Sequence, residues 1–332
     1  MATIKDVAKL AGVSVSAVSK YLRTPQHMRE ETRSLIASAI KELDYSPNLL
    51  ARNLRSGRTG FIAIECSNIT NPYSATLAKY MQAYCSEQNL VAMFIQSDSV
   101  NNVNHAMSIL KTGFFDGIIC YECNPLMDAI HEAELQIPMV QIAPLMEPDG
   151  TPSIYIDLEQ GTRLLLDHLK SRGVESIAYF GPADDTSSTQ KYDALLAYAR
   201  EHDMTVNSDY TAITNASNYE QISAVYATIL AEKRPLPDAI VCTSDYVAVY
   251  VLKVLADAGI RIPEDVMLTG FDDTELAVIS NPSLTSVHTP LKQISEAAVQ
   301  QLTTLIEGGT PQTMVFVPEL SIRHSTDEKS DI

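Results

Sequence analysis

The 332-residue sequence has no tryptophan, few basic residues and none of the common catalytic signatures. GxSxG, GxxxxGKS, GxGxxG and HExxH are all missing, and the seven histidines are dispersed. No catalytic set suggests itself, so an enzyme is not expected and no cofactor is implied. Also missing at the amino terminus is the uninterrupted apolar stretch of a secretory signal or membrane span. Its first residues, MATIKDVAKLAG, place charges at Lys5, Asp6 and Lys9, and the expectation is a cytoplasmic protein with no membrane partner. Five cysteines, at positions 66, 85, 120, 123 and 242, are too scattered for a disulfide framework. Cys120 and Cys123 form the one CxxC pair. A zinc ribbon needs a second pair, so a buried strand end is the simpler reading and no metal is expected.

The shortage of positive charge is uneven. The chain carries 24 Lys and Arg against 41 Asp and Glu, for a net charge of −17. Residues 1–58 nonetheless hold ten basic and five acidic side chains, a local charge of +5, which leaves 14 basic and 36 acidic for the rest, or −22. Phosphate binding needs a cationic face. The distribution predicts a basic DNA-contacting head on an acidic body that repels DNA.

At this length two or three domains are expected. Thr3 and Asp6 form a capping-box-like pair ahead of Ile4, Val7, Ala8 and Ala11, whose spacing predicts a helix from Ile4 to Ala11. Gly12 suits a left-handed helix end, and Ser14 is a good N-cap for a second helix from Val15 to about Leu22. A third, from Glu30 to about Leu43, presents Leu35, Ile36, Ala39, Ile40 and Leu43 as an apolar stripe that closes a three-helix core. Ser46 and Pro47 then open a short helical segment ending at Gly57, too short to be stable alone and read as a hinge.

From Phe61 the pattern becomes short apolar runs (FIAIEC, VAMFI, GIICY, MVQI, SIYI, SIAYFG, AIVCT, VMLTGF) alternating with amphipathic stretches, among them 74–87, 158–171, 190–201, 246–258 and 292–307. Such repetition predicts an α/β body of parallel sheets covered on both faces, best divided into two doubly wound lobes. The final STDEKSDI is polar and expected to be disordered.

On the second helix Val15, Ser16, Ser19, Lys20 and Arg23 share one face, while Val18 and Leu22 point to the core. Small polar groups and cations outward suit a helix lying in the DNA major groove, although basic helical hairpins also occur as plain structural units.

The segments TIKDVAKLAGVSVSAVSKYLR and ETRSLIASAIKELDYSPNLLARNLRSGRTG closely resemble the amino-terminal domain of the lactose-repressor and galactose-repressor family of bacterial transcriptional regulators. Later segments, including NITNPYSATL, FDGII, IDLEQG, GIRIPEDVMLTGFDDTELA and PSLTSV, resemble the family's core. The resemblance implies a helix-turn-helix head (1–45), a hinge helix and linker (46–59), and two lobes of periplasmic-binding-protein type. The amino-terminal lobe would take 60–157 plus about 289–316, the carboxy-terminal lobe 158–288 plus about 317–325, and 326–332 would form a tail.

Carried over residue by residue, base-reading positions fall on Val15, Ser16 and Lys20, and DNA-backbone positions on Thr3, Ser14, Ser19, Arg23, Arg29 and Thr32. Arg29 stands where relatives have a small capping residue, which loses a cap but adds a cation facing phosphate. The hinge resembles the family's minor-groove helix, with Leu54 as the wedge and Asn48 and Ala51 approaching the groove; the alternative is that Leu54 packs between domains. An apolar wedge kinks the duplex and works in symmetric pairs, so a homodimer on a near-palindromic operator is implied.

Two doubly wound lobes form a cleft at the carboxyl ends of their strands, where small ligands sit. The effector-binding candidates are Tyr73, Lys191, Tyr219, Ser244, Tyr246 and Asp272, of which Asp272 matches the family's ligand-binding aspartate. Without tryptophan, Tyr73, Tyr219 or Tyr246 must supply any stacking face. For Asp272 the structural alternative to ligand binding is a cap for a helix beginning near Glu275, a reading that applies at least equally to Asp273. Departures from the sugar-binding members are Ala143 in place of an acid, Lys191 in place of an arginine and Ser244 in place of an asparagine, so a sugar or sugar derivative is only one reading of the ligand. Control by co-repressor, a protein partner in place of a metabolite, and a solute-binding receptor are the alternatives. The last lacks any need for the head.

Overall fold

The computed structural model describes residues 2–23, 25–45, 58–66, 68–121, 125–143, 151–183, 185–214, 218–232 and 234–327. They fall into two units, 1–60 and 61–332.

In the first unit, α1 (Ile4–Leu10) begins with the expected capping box: Asp6 N–H donates to the Thr3 hydroxyl, and the Asp6 carboxylate accepts from Thr3 N–H at 2.8 Å. Gly12 turns the chain at φ +64°, a conformation that costs glycine little. Ser14 Oγ then accepts from Ala17 N–H at 3.1 Å, and α2 (Val15–Arg23) starts there. After α3 (Glu30–Glu42), Val7, Val18 and Ile36 are fully buried, with Ala8, Ala11 and Ala39 around them. Leu35 departs from the expected stripe. It is 51% exposed, because the core-facing step on α3 runs through Ile36, Ala39 and Ile40, and Leu35 lies one residue to the side. Arg29 precedes α3 with no side-chain cap bond.

The second unit carries two sheets. The first has the order β12-β5-β4-β3-β1-β2, built from β1 (Phe61–Glu65), β2 (Val91–Ile95), β3 (Gly117–Tyr121), β4 (Met139–Ala143), β5 (Ser153–Ile156) and β12 (Met314–Phe316), all parallel. The second has the order β13-β11-β10-β9-β6-β7, from β6 (Ser176–Gly181), β7 (Thr205–Val206), β9 (Ala239–Cys242), β10 (Met267–Asp272), β11 (Thr285–His288) and β13 (Glu319–Ser321). Short β8 (Ala212–Ile213) also pairs with β6, and among the described strands only β13 runs antiparallel, against β11. Helices cover both faces, as parallel strands buried on two sides require: α4 (Pro72–Glu87), α5 (Val100–Leu110), α6 (Pro125–Glu132) and α12 (Leu291–Ile306) in the first lobe, and α7 (Leu158–Ser171), α8 (Thr186–Glu201), α9 (Tyr219–Ala231), α10 (Asp245–Asp257) and the short α11 (Glu275–Ile279) in the second. The chain crosses between sheets three times, at 157, 289 and 317, so sequence-distant segments complete each lobe.

The end of the chain differs from expectation. Ser325 and Thr326 are fully buried: Ser325 Oγ donates to Leu268 O at 2.5 Å, and Thr326 Oγ1 lies 2.6 Å from Thr285 Oγ1. Two hydroxyls satisfied against β10 and β11 hold a stretch that composition alone reads as a tail. Cys120 is buried within β3, whereas Cys123 lies outside the described residues. Among the described residues, no helix is long and apolar enough to cross a membrane.

Candidate functional site

On α2, Val18 is buried, while Val15, Ser16 and Lys20 are exposed and Ser19 is half-buried. One face of the helix is therefore fixed by the core of the head and the opposite face is exposed. Ser14 Oγ and Ser16 Oγ lie 2.8 Å apart, so the cap also holds the hydroxyl at the start of that face. Thr3 spends its hydroxyl on Asp6 at 2.7 Å, Arg29 is exposed and Thr32 is half-buried. Arg23 closes α2; its side chain lies outside the described residues, as do Asn48, Ala51 and Leu54.

The second site is an open cleft of about 1030 Å³ between the two lobes, at the carboxyl ends of their strands. The first lobe contributes Asn68, Asn71 and Tyr73 after β1, Tyr121 at the end of β3, and the apolar floor Ile142, Ala143 and Ile156. Asn71 accepts from Tyr73 N–H at 3.0 Å, which caps α4 and fixes the ring at the cleft edge. Tyr121 Oη lies 2.7 Å from buried Ser74 Oγ. From the second lobe come Asp185 at the cap of α8, Ser187 and Lys191 on α8, Thr243 and Ser244 after β9, Tyr246 on α10, Asp272 at the end of β10 and Thr289 after β11.

Lys191 is 6% exposed, its Nζ donating to Thr243 O at 2.9 Å and sitting 3.8 Å above the centre of the Phe271 ring. The ring face and the carbonyl hold an ammonium that has left water. Ser244 caps α10 by accepting from Val247 N–H at 3.3 Å, and Tyr246 accepts from Tyr250 Oη at 2.9 Å. Asp272 ends β10 at φ +96°, followed by Asp273 at φ +53°, two left-handed residues in succession that are costly for side chains with a Cβ. Burial pushes the Asp272 carboxyl up to about 6, with Asp185 adding to the rise and Lys191 opposing it.

A buried anchor holds that strained turn. Asp245, fully buried at the start of α10, accepts from Thr274 N–H at 2.6 Å, Thr274 Oγ1 at 3.0 Å and Ser286 Oγ at 2.6 Å. Burial and then the charge of Asp272 push the Asp245 carboxyl up to about 7, against the pull of those three bonds. Gly270 is the only residue type that fits opposite, since a Cβ there would come within 2.1 Å of Asp245 Oδ1.

Five of the six expected cleft residues come together: Tyr73, Lys191, Ser244, Tyr246 and Asp272. Tyr219 does not join them. It opens α9, is 36% exposed and donates to Asp257 Oδ2 at 3.1 Å, on the outer face of α10. Asp273 is not a helix cap either: Thr274 takes that position, and the Asp273 carboxylate instead pairs with Arg323 at 2.6 Å and His288 at 2.9 Å and accepts from Ser321 at 2.8 Å. Sequence reasoning missed Asp185, because the polar run PADDTSS places the start of α8 at Gln190, whereas the helix begins one turn earlier at Thr186 with Asp185 as its cap. It missed Thr289 because the four-residue β11 carries no periodic signal.

Comparison with known proteins gives the same two parts. The profile described as "Bacterial regulatory proteins, lacI family" matches residues 3–48, and the "Periplasmic binding protein-like domain" matches residues 166–326. A protein described as "HTH-type transcriptional repressor PurR" from Aliivibrio fischeri (strain ATCC 700601 / ES114) is 27% identical over 335 residues, covering 99% of each chain. One of the same description from Vibrio cholerae serotype O1 (strain M66-2) is 29% identical, covering 95% of each. The structure of a transcriptional regulator, CelR, in complex with cellobiose superposes with a TM-score of 0.71 at 25% identity, over 98% of this chain and all of that one. The Lac repressor dimer bound to operator and the anti-inducer ONPF shares the fold at a TM-score of 0.81 and 22% identity, over 98% and 99% of the two chains. The head therefore carries a helix-turn-helix domain of the lacI family of bacterial regulatory proteins and the body a periplasmic-binding-protein-like domain, and the full length is similar to repressors of the same build.

Proposed function

We propose that this protein is a sequence-specific transcriptional repressor that binds a near-palindromic operator as a homodimer and is controlled by a small polar effector in the cleft. The observation that carries the reading is α2: its buried side is locked by Val18, and its opposite side offers Val15, Ser16 and Lys20 to a partner. Val15 offers an apolar contact for a thymine methyl, Ser16 a hydroxyl for either base type and Lys20 a donor to guanine edges, without the two-pronged geometry of arginine. Ser14, Ser19, Arg23, Arg29 and Thr32 would meet the phosphates, with Thr3 a weaker candidate because its hydroxyl already serves the cap. Asn48, Ala51 and Leu54 would enter the minor groove.

A second copy of the chain is supported by unpaired apolar surface. Strand β2 is a sheet edge exposing Val91, Met93 and Phe94, and α11 exposes Val278 and Ile279. A bare apolar edge is a liability in a monomer and an asset in a dimer. Buried thiols at Cys66, Cys85, Cys120 and Cys242 suit a reducing cytoplasm, where the operator lies.

Tyr73, Lys191, Ser244, Tyr246 and Asp272 would hold the effector, and a change in the angle between the lobes would transmit its binding. Only a ligand with different affinity for the two arrangements shifts the balance. Selection of bound DNA from a random pool with purified full-length protein tests the reading. The expected product is a near-palindrome of roughly 14 to 20 base pairs with a flexible central step; recovery of no preferred sequence at moderate salt would overturn it. In the same assay Asp272→Ala is expected to abolish the ligand response while operator is still bound.

A further inference from the structure

We infer that the cleft selects a hydroxylated molecule carrying a protonated amine, such as an amino sugar, and rejects phosphorylated and carboxylated relatives of the same scaffold. The inference rests on the reading of the cleft as the effector site and adds the charge class of the ligand.

Two carboxylates, Asp185 and Asp272, line the cleft from the second lobe, and the charge of Asp185 raises the cost of ionising Asp272. Lys191 is the cation among the described lining residues. Its ammonium is committed to the Thr243 carbonyl and the Phe271 ring, and among the described residues it forms no salt bridge with either carboxylate. Lysine so placed offsets part of the negative potential but leaves one negative charge uncompensated. Asp185 uses Oδ1 to accept from Ser187 N–H and Oγ, both at 2.8 Å, and no donor reaches the Asp272 carboxylate among the described residues. An acceptor lacking donors, in a cleft with an uncompensated negative charge, is matched by a ligand N–H that carries positive charge.

An independent group points into the same space. Thr289 lines the cleft, is 2% exposed, and its hydroxyl has no hydrogen-bond partner. A buried hydroxyl without a partner is costly, and a ligand hydroxyl or amine would satisfy it. The apolar floor of Ile142, Ala143 and Ile156 then takes the carbon face of the ligand. An anion meets the opposite situation: two acceptors of its own sign and a lysine whose ammonium already has partners. Phosphate and carboxylate analogues therefore lose both charge and hydrogen bonding.

The test uses full-length protein at pH 7.5 in a thermal-shift screen over three panels: amines (glucosamine, galactosamine, mannosamine), their neutral counterparts (the parent hexoses) and anions (hexose phosphates and hexuronic acids). The strongest stabilisation is expected from the amine panel. Titration calorimetry should then show affinity for that probe falling on the order of 10- to 100-fold in Asp185→Asn, which keeps the helix cap while removing the charge. Binding strongest for a neutral or anionic probe, no binding by any amine, or an Asp185→Asn affinity equal to that of the parent protein would overturn the inference. If a neutral or anionic probe binds and Asp272→Asn abolishes it, the charge class is wrong and the cleft reading stands. If a bound probe is indifferent to both substitutions, the cleft reading itself fails.

Discussion

Replacing Asp245 by asparagine should remove a defined part of the protein's pH dependence without weakening its fold. The carboxyl, ordinarily near 3.8, is pushed up to about 7 in the folded protein by burial and by Asp272. A group raised on folding binds its proton more tightly in the native state, so its contribution is complete at low pH and is lost as pH rises through about 7. Between pH 7 and pH 5.5 the native carboxyl gains a proton and the unfolded one does not. At 1.36 kcal/mol per pKa unit this stabilises by about 2 kcal/mol on acidification, worth roughly 4 °C in Tm for a unit this large.

Glu65, held by Ser97 and raised by burial to about 7, and Asp272, raised to about 6, act in the same direction, while His168, lowered by burial, acts against them. The parent protein alone therefore does not isolate Asp245. Asparagine does, because its amide oxygen can accept the two Thr274 donors and its NH₂ can donate to Ser286. Melting curves from pH 5.5 to 8 should show the variant at least as stable as the parent at pH 8, with the gain on acidification smaller by about 4 °C. Asp265 is held near 2 by Arg261 and keeps its contribution throughout this window. Superimposable pH profiles for the two proteins would refute the argument. Asp245→Ala, which leaves three donors without an acceptor, should cost about 3 kcal/mol at pH 8 and more at pH 5.5, where the parent also gains from protonation of Asp245.

Gly270→Ala should destabilise the second lobe by about 1 to 3 kcal/mol in denaturant titration, because its new Cβ would displace the Asp245 carboxylate. Leu54→Ala should weaken specific operator binding far more than nonspecific binding in competition assays, and equal loss of both would remove the wedge assignment.

Much of this was legible in the sequence because single residues carry strong local signals. Thr3, Gly12 and Ser14 punctuate the head, and the buried strands read as short apolar runs between turn residues. What escaped has a common physical origin. Strands β11 to β13 are three or four residues long, and they join their sheets through crossings with no local signature. Leu35 and Tyr219 belong to helices whose exposed and buried faces only tertiary packing decides. Asp273 adjoins a helix start and looks like a cap, but the ion pair with Arg323, fifty residues later, claims it. The cleft was located by strand ends, whereas its charge balance depends on where Lys191 points, and that only the Thr243 carbonyl and the Phe271 ring determine.

The central claim is that α2 presents Val15, Ser16 and Lys20 to base edges from two symmetry-related copies. It is tested most directly by repeating the random-pool selection with Lys20→Ala and with Ser16→Ala. The account predicts that each variant relaxes the preference at one position in each half-site, at a cost of about 1 to 3 kcal/mol there, and leaves the other positions intact. Enrichment of the parent's unaltered motif by both variants would contradict it.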